Sequence, residues 1–222
     1  MRATNAALSK TLLLISLALM PPLIKVHAET QSGDDAFQEA VKAVKERDYS
    51  RALDLFEHQA SEAKHDAQYN MAVLLQAGKG RPRNYSTALY WGWLAQLGGI
   101  DEADDITSDM LDVLADGDVK DVRNRVGDSL RERLDNGDID AIPQYAKYHL
   151  SILDEPDYGT AYIWYSIAVA LNIPDMSDQR DDTESNIEDK ELVRLQTEAR
   201  ELFDTYNFLP FNPHKTGGIN ES

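Results

Sequence analysis

The fold is decided by residues 66–103, which read DAQYNMAVLLQAGKGRPRNYSTALYWGWLAQLGGIDEA. Apolar residues recur at helical spacing on both sides of a short loop that contains Gly78, Gly80 and Pro82. Gly78 suits a helix C-terminus with a positive φ, and Pro82 keeps the loop out of helix. The stretch therefore predicts a helical hairpin.

The remainder of the chain repeats this hairpin more loosely. The pentapeptide YSRAL at residues 49–53 recurs as YSTAL at residues 85–89, which is 36 residues later. A longer similarity follows at an offset of 73 residues, where the matching positions are Tyr85, Ala88, Trp91 and Ala95 with Tyr158, Ala161, Trp164 and Ala168. Such periods are typical of stacked helical repeats, in which each unit buries its apolar face against its neighbour. We therefore predict an all-α fold made of an opening hairpin and two copies of a four-helix unit.

Apolar periodicity predicts the individual helices. The expected segments are 35–46, 49–64, 66–77, 85–97, 101–115, 119–135, 140–152, 158–171 and 187–206. The acidic stretch 174–184 is expected to be the least ordered internal segment. On the last helix the predicted buried side carries Leu192, Leu195, Ala199, Leu202 and Phe203.

The N-terminus has the pattern of a cleaved signal peptide, residues 1–28. Arg2 and Lys10 form a positively charged region before a short apolar run, and Val26-His27-Ala28 offers a small-x-small cleavage site. The run is too short for a membrane-spanning helix. We therefore expect an exported protein, periplasmic or secreted, without stable membrane insertion after cleavage. Residues 29–34 are a polar lead-in, 35–206 the repeat region and 207–222 an irregular tail.

The charge and the lack of cysteine exclude several classes of function. The chain carries a formal net charge of −17 and contains no cysteine. A field of this sign repels nucleic-acid phosphates and favours a basic partner, so nucleic acid is excluded. Without cysteine there is no disulfide framework, cysteine-ligated zinc or thiol nucleophile.

A known family pattern fits the repeat positions. Within residues 67–103 these are Ala67, Ala72 in place of Gly, Gly78, Gly80, Ala88, Trp91 and Ala95. The second copy agrees, without the two loop glycines, through Ala141, Ala146, Ala161, Trp164 and Ala168. At these residues the chain resembles the Sel-one-like repeat family, relatives of the tetratricopeptide repeats. The resemblance implies a right-handed α-solenoid of about five stacked helical hairpins that acts as a protein-interaction scaffold, with exported members serving envelope signalling, polysaccharide export or host contact.

No pattern in the sequence indicates a catalytic, cofactor-binding or metal site. HExxH, GxSxG, Walker A and GxGxxG runs are absent. His58, Glu62 and His65 have the spacing of a metal site on one helix face, but a solvated helix face explains them far better. His149 stands where the family usually has tyrosine and is predicted to be a packing residue. Aspartates 116, 118 and 121, and 135, 138 and 140, lack calcium-loop spacing and suit helix caps and turns.

One surface remains as a candidate for partner binding. Tyr90, Trp93 and Leu97 lie roughly opposite the predicted buried stripe of the helix 85–97, which is formed by Ala88, Trp91 and Ala95. These three residues either pack on the adjacent repeat or form an exposed aromatic anchor.

We accordingly expect an exported, non-enzymatic scaffold or adaptor that binds another protein. Two alternatives stay open. A binder of small ligands or cell-wall glycans would use Tyr90 and Trp93 as stacking surfaces. A hydrolase would need a pocket of converging ionisable groups.

Overall fold

The computed structural model describes residues 35–206, and within them it contains ten helices and no strand. This part of the chain is therefore all-α, as the apolar spacing predicts. The predicted signal peptide, lead-in and tail lie outside the described residues. The helices are α1 (Asp35–Lys45), α2 (Tyr49–Ser61), α3 (His65–Ala77), α4 (Tyr85–Leu97), α5 (Ala103–Leu111), α6 (Asp116–Asp135), α7 (Ala141–Ser151), α8 (Tyr158–Ala170), α9 (Met176–Glu184) and α10 (Asp189–Tyr206).

Local sequence signals set the ends of the central hairpin. Helix α3 ends at Gly78, which has a φ of 66° and whose amide bonds back to Leu74 and Leu75 carbonyls. Helix α4 begins after Asn84, whose side-chain oxygen accepts a hydrogen bond from the Thr87 amide at 2.9 Å. The hairpin predicted from residues 66–103 is therefore confirmed in its helices and in its loop.

The acidic segment that we predicted to be least ordered contains a helix, so that prediction is wrong. Helix α9 follows Asp175, whose φ is 62°, and its one buried residue is Thr183. The helix packs along α8. Tertiary packing thus stabilises a segment whose own apolar pattern is too weak to indicate a helix.

Neighbouring helices pack against each other and share one continuous apolar core. The alanines at the repeat positions have no exposed surface, which allows the helix backbones to approach closely. They are Ala67, Ala72, Ala88, Ala95, Ala141, Ala146, Ala161 and Ala168, each 0% exposed. On the last helix Leu195 and Ala199 are buried, while the other three predicted positions are partly buried against the core.

The same arrangement of three helices occurs twice, 73 residues apart. Helices α4, α5 and α6 begin at residues 85, 103 and 116, and α8, α9 and α10 begin at 158, 176 and 189. The details match too, because Asp157 caps α8 through the Thr160 amide as Asn84 caps α4. We call α3–α6 the first unit and α7–α10 the second unit.

Helix α6 connects the two units. It packs on α4 of its own unit and on α7 of the next, and α7 also contacts α4. In the second unit α9 and α10 pack on α8. Among residues 35–206 there is no helix with the length and apolarity needed to cross a membrane.

Candidate interaction site

The partly exposed aromatic surface of α4 is formed by Tyr90 and Trp91. Their ring centroids are 4.9 Å apart at an interplanar angle of 70°, which is an edge-to-face pair. The guanidinium carbon of Arg125, an exposed residue of α6, lies 4.7 Å from the centroid of the Tyr90 ring. The surface therefore combines two aromatic rings with a cation.

This pair borders a small cavity between four helices, which we call the Tyr90–Trp91 cleft. Its volume is about 170 Å³, and it lies between the end of α2, the start of α3, and the helices α4 and α6. Its walls are Ala60, Ser61, Ala63, Gln68, Tyr90, Trp91, Leu94, Ser129 and Arg133. A space of this size holds one apolar side chain or a single small ring.

Of the three residues predicted to bind a partner, only Tyr90 is partly exposed. Trp93 and Leu97 are each 4% exposed, so the prediction that they form an exposed anchor is wrong. They belong to the core, which is the packing alternative that the sequence left open. Trp91 was expected to be buried and is instead partly exposed, beside Tyr90.

The physical reason is that α4 is surrounded by other helices. It packs on α3, α5, α6 and α7, so almost its whole circumference is buried. Its sequence YSTALYWGWLAQL is apolar on every side, which gives no preferred buried face. The signal that could have identified Arg125 is a row of α6 residues, Arg125, Ser129 and Arg133, at spacings of four. The sequence alone does not tell which helix that row faces.

Behind the cleft, Arg133 is held by a polar network that joins the two units. Its Nε donates to Asp138 Oδ2 at 2.8 Å, and its Nη1 donates to Gln144 Oε1 at 2.8 Å. The Gln144 amide nitrogen lies 3.2 Å from His65 Nε2. Asp138 thus has the turn role that its position between helices predicts.

The network fixes the protonation of His65. Gln144 Nε2 is a donor, so His65 Nε2 accepts from it, and the proton resides on Nδ1, 2.9 Å from Gln68 Oε1. Burial lowers the pKa of His65, against the opposing effect of the Gln68 hydrogen bond. The imidazole is therefore neutral at pH 7 and serves as a connector between α3 and α7.

His65 does not join the predicted histidine–glutamate group. Helix α2 ends at Ser61, which places His65 on the next helix. His58 Nδ1 lies 3.8 Å from Glu62 Oε2, and both side chains are largely exposed. Residues 35–206 contain no group of three histidine, aspartate or glutamate side chains arranged to hold a metal ion.

His149 packs among aromatic rings near a second cavity, of about 320 Å³. Its ring meets those of Tyr145 and Tyr148 edge-to-face, at centroid distances of 4.8 and 5.3 Å. Its Nδ1 lies 3.5 Å from Asp157 Oδ2, and burial lowers the pKa of the imidazole. Since Asp157 also caps α8, these contacts fix the start of that helix.

The comparisons with known proteins give no family for this chain. No family model matches it, and no match was found among the curated proteins.

Proposed function

We propose that this protein is an exported, non-enzymatic scaffold that binds another protein through the Tyr90–Trp91 cleft. In this proposal the ten helices form a right-handed α-solenoid of about five stacked hairpins, of the Sel-one-like type. The 73-residue recurrence of helix starts and caps supports it, since each unit buries its apolar face on the next.

The observation that carries the proposal is the pairing of Tyr90 and Trp91 with Arg125. Aromatic residues and arginine are enriched at the energetic centres of protein interfaces. Here an apolar side chain of a partner would enter the 170 Å³ cleft. A carboxylate or carbonyl of the same partner would accept hydrogen bonds from Arg125, which has no carboxylate partner among the described residues.

The test is recovery of a partner from cell-envelope extract on the immobilised chain lacking residues 1–28. Tyr90→Ala should weaken binding of the recovered partner by about 2 kcal/mol or more, roughly 30-fold in Kd, as expected of a hot-spot aromatic. The matched control is Tyr85→Ala, because Tyr85 is also partly exposed on α4 and has Arg83 5.5 Å from its ring. Equal binding by both variants would refute the assignment of the cleft.

A small-ligand or glycan binder is the second candidate, favoured by the same edge-to-face pair. Trp91 takes the stacking role that we predicted for Trp93. Saturable quenching of tryptophan fluorescence by a cell-wall glycan, lost in Tyr90→Ala, is expected in this case. If millimolar glycan leaves the tryptophan fluorescence unchanged, this candidate is refuted.

A further inference from the structure

His65 lies in a buried chain of hydrogen bonds that connects two walls of the Tyr90–Trp91 cleft. The chain begins at Gln68 of α3, passes through the His65 ring to Gln144 of α7, and ends at Arg133 of α6. Gln68 and Arg133 both line the cleft. Gln68 and Gln144 are only 2% and 6% exposed, so water does not readily replace a hydrogen bond that they lose.

The orientation of the Gln144 amide is fixed by two partners of unambiguous chemistry. Arg133 Nη1 is only a donor, and it lies 2.8 Å from Gln144 Oε1. The Asp140 carbonyl is only an acceptor, and it lies 3.0 Å from Gln144 Nε2. The second hydrogen of that amide nitrogen is therefore donated to His65 Nε2, 3.2 Å away. At this position the ring has to present a lone pair.

Gln68 imposes the same tautomer from the other side of the ring. Its amide nitrogen donates to the Ala60 carbonyl at 3.1 Å, so its Oε1 is the atom that faces His65 Nδ1 at 2.9 Å. Since this oxygen only accepts, Nδ1 has to carry a hydrogen. Both glutamine amides thus require a neutral imidazole with its hydrogen on Nδ1.

A second proton on His65 sets two donors against each other. The new N–H at Nε2 points at the Gln144 amide nitrogen, which cannot accept it. Rotating the Gln144 amide by half a turn brings its oxygen to the imidazolium, but it also places that oxygen against the Asp140 carbonyl and the amide nitrogen against Arg133. One proton on the ring therefore costs the hydrogen bonds of Gln144 to both Arg133 and Asp140.

The His65 ring has little room to avoid this conflict by moving. It packs so closely on Gly98, at the C-terminus of α4, that a Cβ there would lie 2.1 Å from His65 Cγ. Gln68 Oε1 accepts the Nδ1 hydrogen in both protonation states and so holds that edge of the ring. The Gln144 side chain is therefore the part that moves.

Charged groups on three helices act on the His65 ring. Asp66 of α3 and Asp140 at the start of α7 favour the imidazolium, and Arg133 of α6 opposes it. Burial is the largest effect, and it lowers the pKa of His65 below its ordinary value. The ring is therefore protonated only at acidic pH.

The ends of α2 and α4 complete the surroundings of His65. Glu62 follows α2, but its side chain is largely exposed and lies beside His58. The C-terminus of α4 presents the negative end of its dipole, and Lys147 of α7 already donates to a carbonyl there at 3.0 Å. The buried polar contacts of the ring are thus those with the two glutamines.

We propose that His65 is a proton-driven switch, which at acidic pH turns Gln144 and releases Arg133 Nη1 at the wall of the Tyr90–Trp91 cleft. Arg133 keeps its pair with Asp138, so one cleft wall loosens while the helices stay in place. The same event weakens the contact between α3 and α7, which begins the second unit. The switch is a property of these side chains, and only its effect on a partner rests on the proposed function.

The test is NMR of the full chain with labelled histidine, glutamine and arginine side chains, titrated from pH 7.5 to pH 5. The Gln144 amide and Arg133 guanidinium signals should shift with the same midpoint as the His65 ring, while circular dichroism stays constant. In His65→Gln, which offers an acceptor and a donor but does not titrate, both signals should stay fixed. The matched control is His149→Gln, which removes the other buried histidine and should leave the coupled shift unchanged.

Gln144→Glu separates the switch from a general effect of pH. A carboxylate accepts from Arg133 and from the imidazolium at the same time, so no rotation is needed. The pKa of His65 should therefore rise above its wild-type value, and the Arg133 signals should no longer follow the titration of the ring.

Three NMR results would overturn the switch. They are Arg133 signals that stay fixed while His65 titrates, an Arg133 midpoint that differs from that of His65, and protonation of His65 only together with loss of helicity. The first of these would mean that the imidazolium leaves Gln144 instead of turning it.

A separate measurement tests the effect on the cleft. Because a loosened wall has to be ordered again on binding, the partner recovered at pH 7.5 should bind at least about threefold more weakly at pH 5, and His65→Gln should remove that difference. Equal binding at both pH values, with the coupled NMR shifts present, would refute the link between the switch and the cleft. If no partner binds at either pH, the proposed function fails, while the NMR titration still decides the switch.

Discussion

Replacing Gly80 by alanine should destabilise the protein more than replacing Gly99, the other glycine of the first unit with a φ above 80°. Gly80 has a φ of 81°, in the region that L-residues disfavour. Its added Cβ would meet the Tyr49 carbonyl, with the carbonyl carbon only 2.6 Å away, and Leu53 Cδ1 at 2.9 Å. The loop of one hairpin is thus packed directly on the start of α2 in the preceding hairpin.

The magnitude follows from two separate costs. A left-handed backbone costs an alanine roughly 1–2 kcal/mol. Overpacking against a neighbouring backbone costs roughly a further 1–3 kcal/mol. Gly80→Ala should therefore lower the free energy of unfolding by about 2–5 kcal/mol. The measurement is urea denaturation followed by circular dichroism, with an unchanged m-value as the sign that the compactness of both states is preserved.

Substitutions at two other glycines measure the backbone cost and the packing cost separately. Gly99 has a φ of 92° but no atom within 4 Å of its added Cβ, so Gly99→Ala should cost only about 1–2 kcal/mol. Gly117 lies in α6 with equally open space, and Gly117→Ala should stabilise by about 0.5–1 kcal/mol. If Gly80→Ala and Gly99→Ala destabilise equally, the reasoning about close packing between hairpins is refuted.

Two further predictions concern the buried residues of the first unit and its link to α7. Trp93→Ala should cost about 3–5 kcal/mol in urea denaturation, because Trp93 is 4% exposed, and a loss below 1 kcal/mol would contradict its core position. Burial lowers the pKa of both His65 and His149 in the folded state. The unfolded chain therefore takes up protons first as the pH falls. The contribution of the two neutral imidazoles to stability is complete above about pH 6.5 and is lost as the pH falls through the lowered folded-state pKa. The melting temperature of the wild type should therefore fall relative to His65→Gln/His149→Gln between pH 7.5 and pH 5, and parallel curves would contradict this.

The helices were predictable because their signals are local. Asn84 caps α4 and Gly78 ends α3 through hydrogen bonds within four residues along the chain, and such signals are readable from sequence. The prediction for Trp91 and Trp93 failed because α4 is apolar all round. Which of its tryptophans is exposed depends on where α6 and α7 lie, and these helices are distant in sequence. Arg125 was missed for the same reason.

The position of the cleft follows from one difference between the two units. Trp164 is the equivalent of Trp91, yet it is 5% exposed, and the rings of Tyr145 and Tyr206 lie 5.4 and 5.5 Å from it, both edge-to-face. The residue 73 positions before Tyr206 is Arg133, which Asp138 and Gln144 hold by hydrogen bonds. A ring therefore covers the tryptophan of the second unit, and a cavity remains beside that of the first.

This difference can be tested by uncovering Trp164. Tyr206→Ala should make a second tryptophan accessible, so acrylamide quenching of the fluorescence should rise toward two accessible tryptophans out of three. Tyr206→Phe is the matched control, since it keeps the ring and removes the hydroxyl that donates to Asp135, and its quenching should equal that of the wild type. Unchanged quenching in Tyr206→Ala, with helicity retained, would mean that the ring at this position does not decide which tryptophan is exposed. The presence of Arg133 in the first unit, where the second unit has Tyr206, would then not explain the cleft beside Trp91.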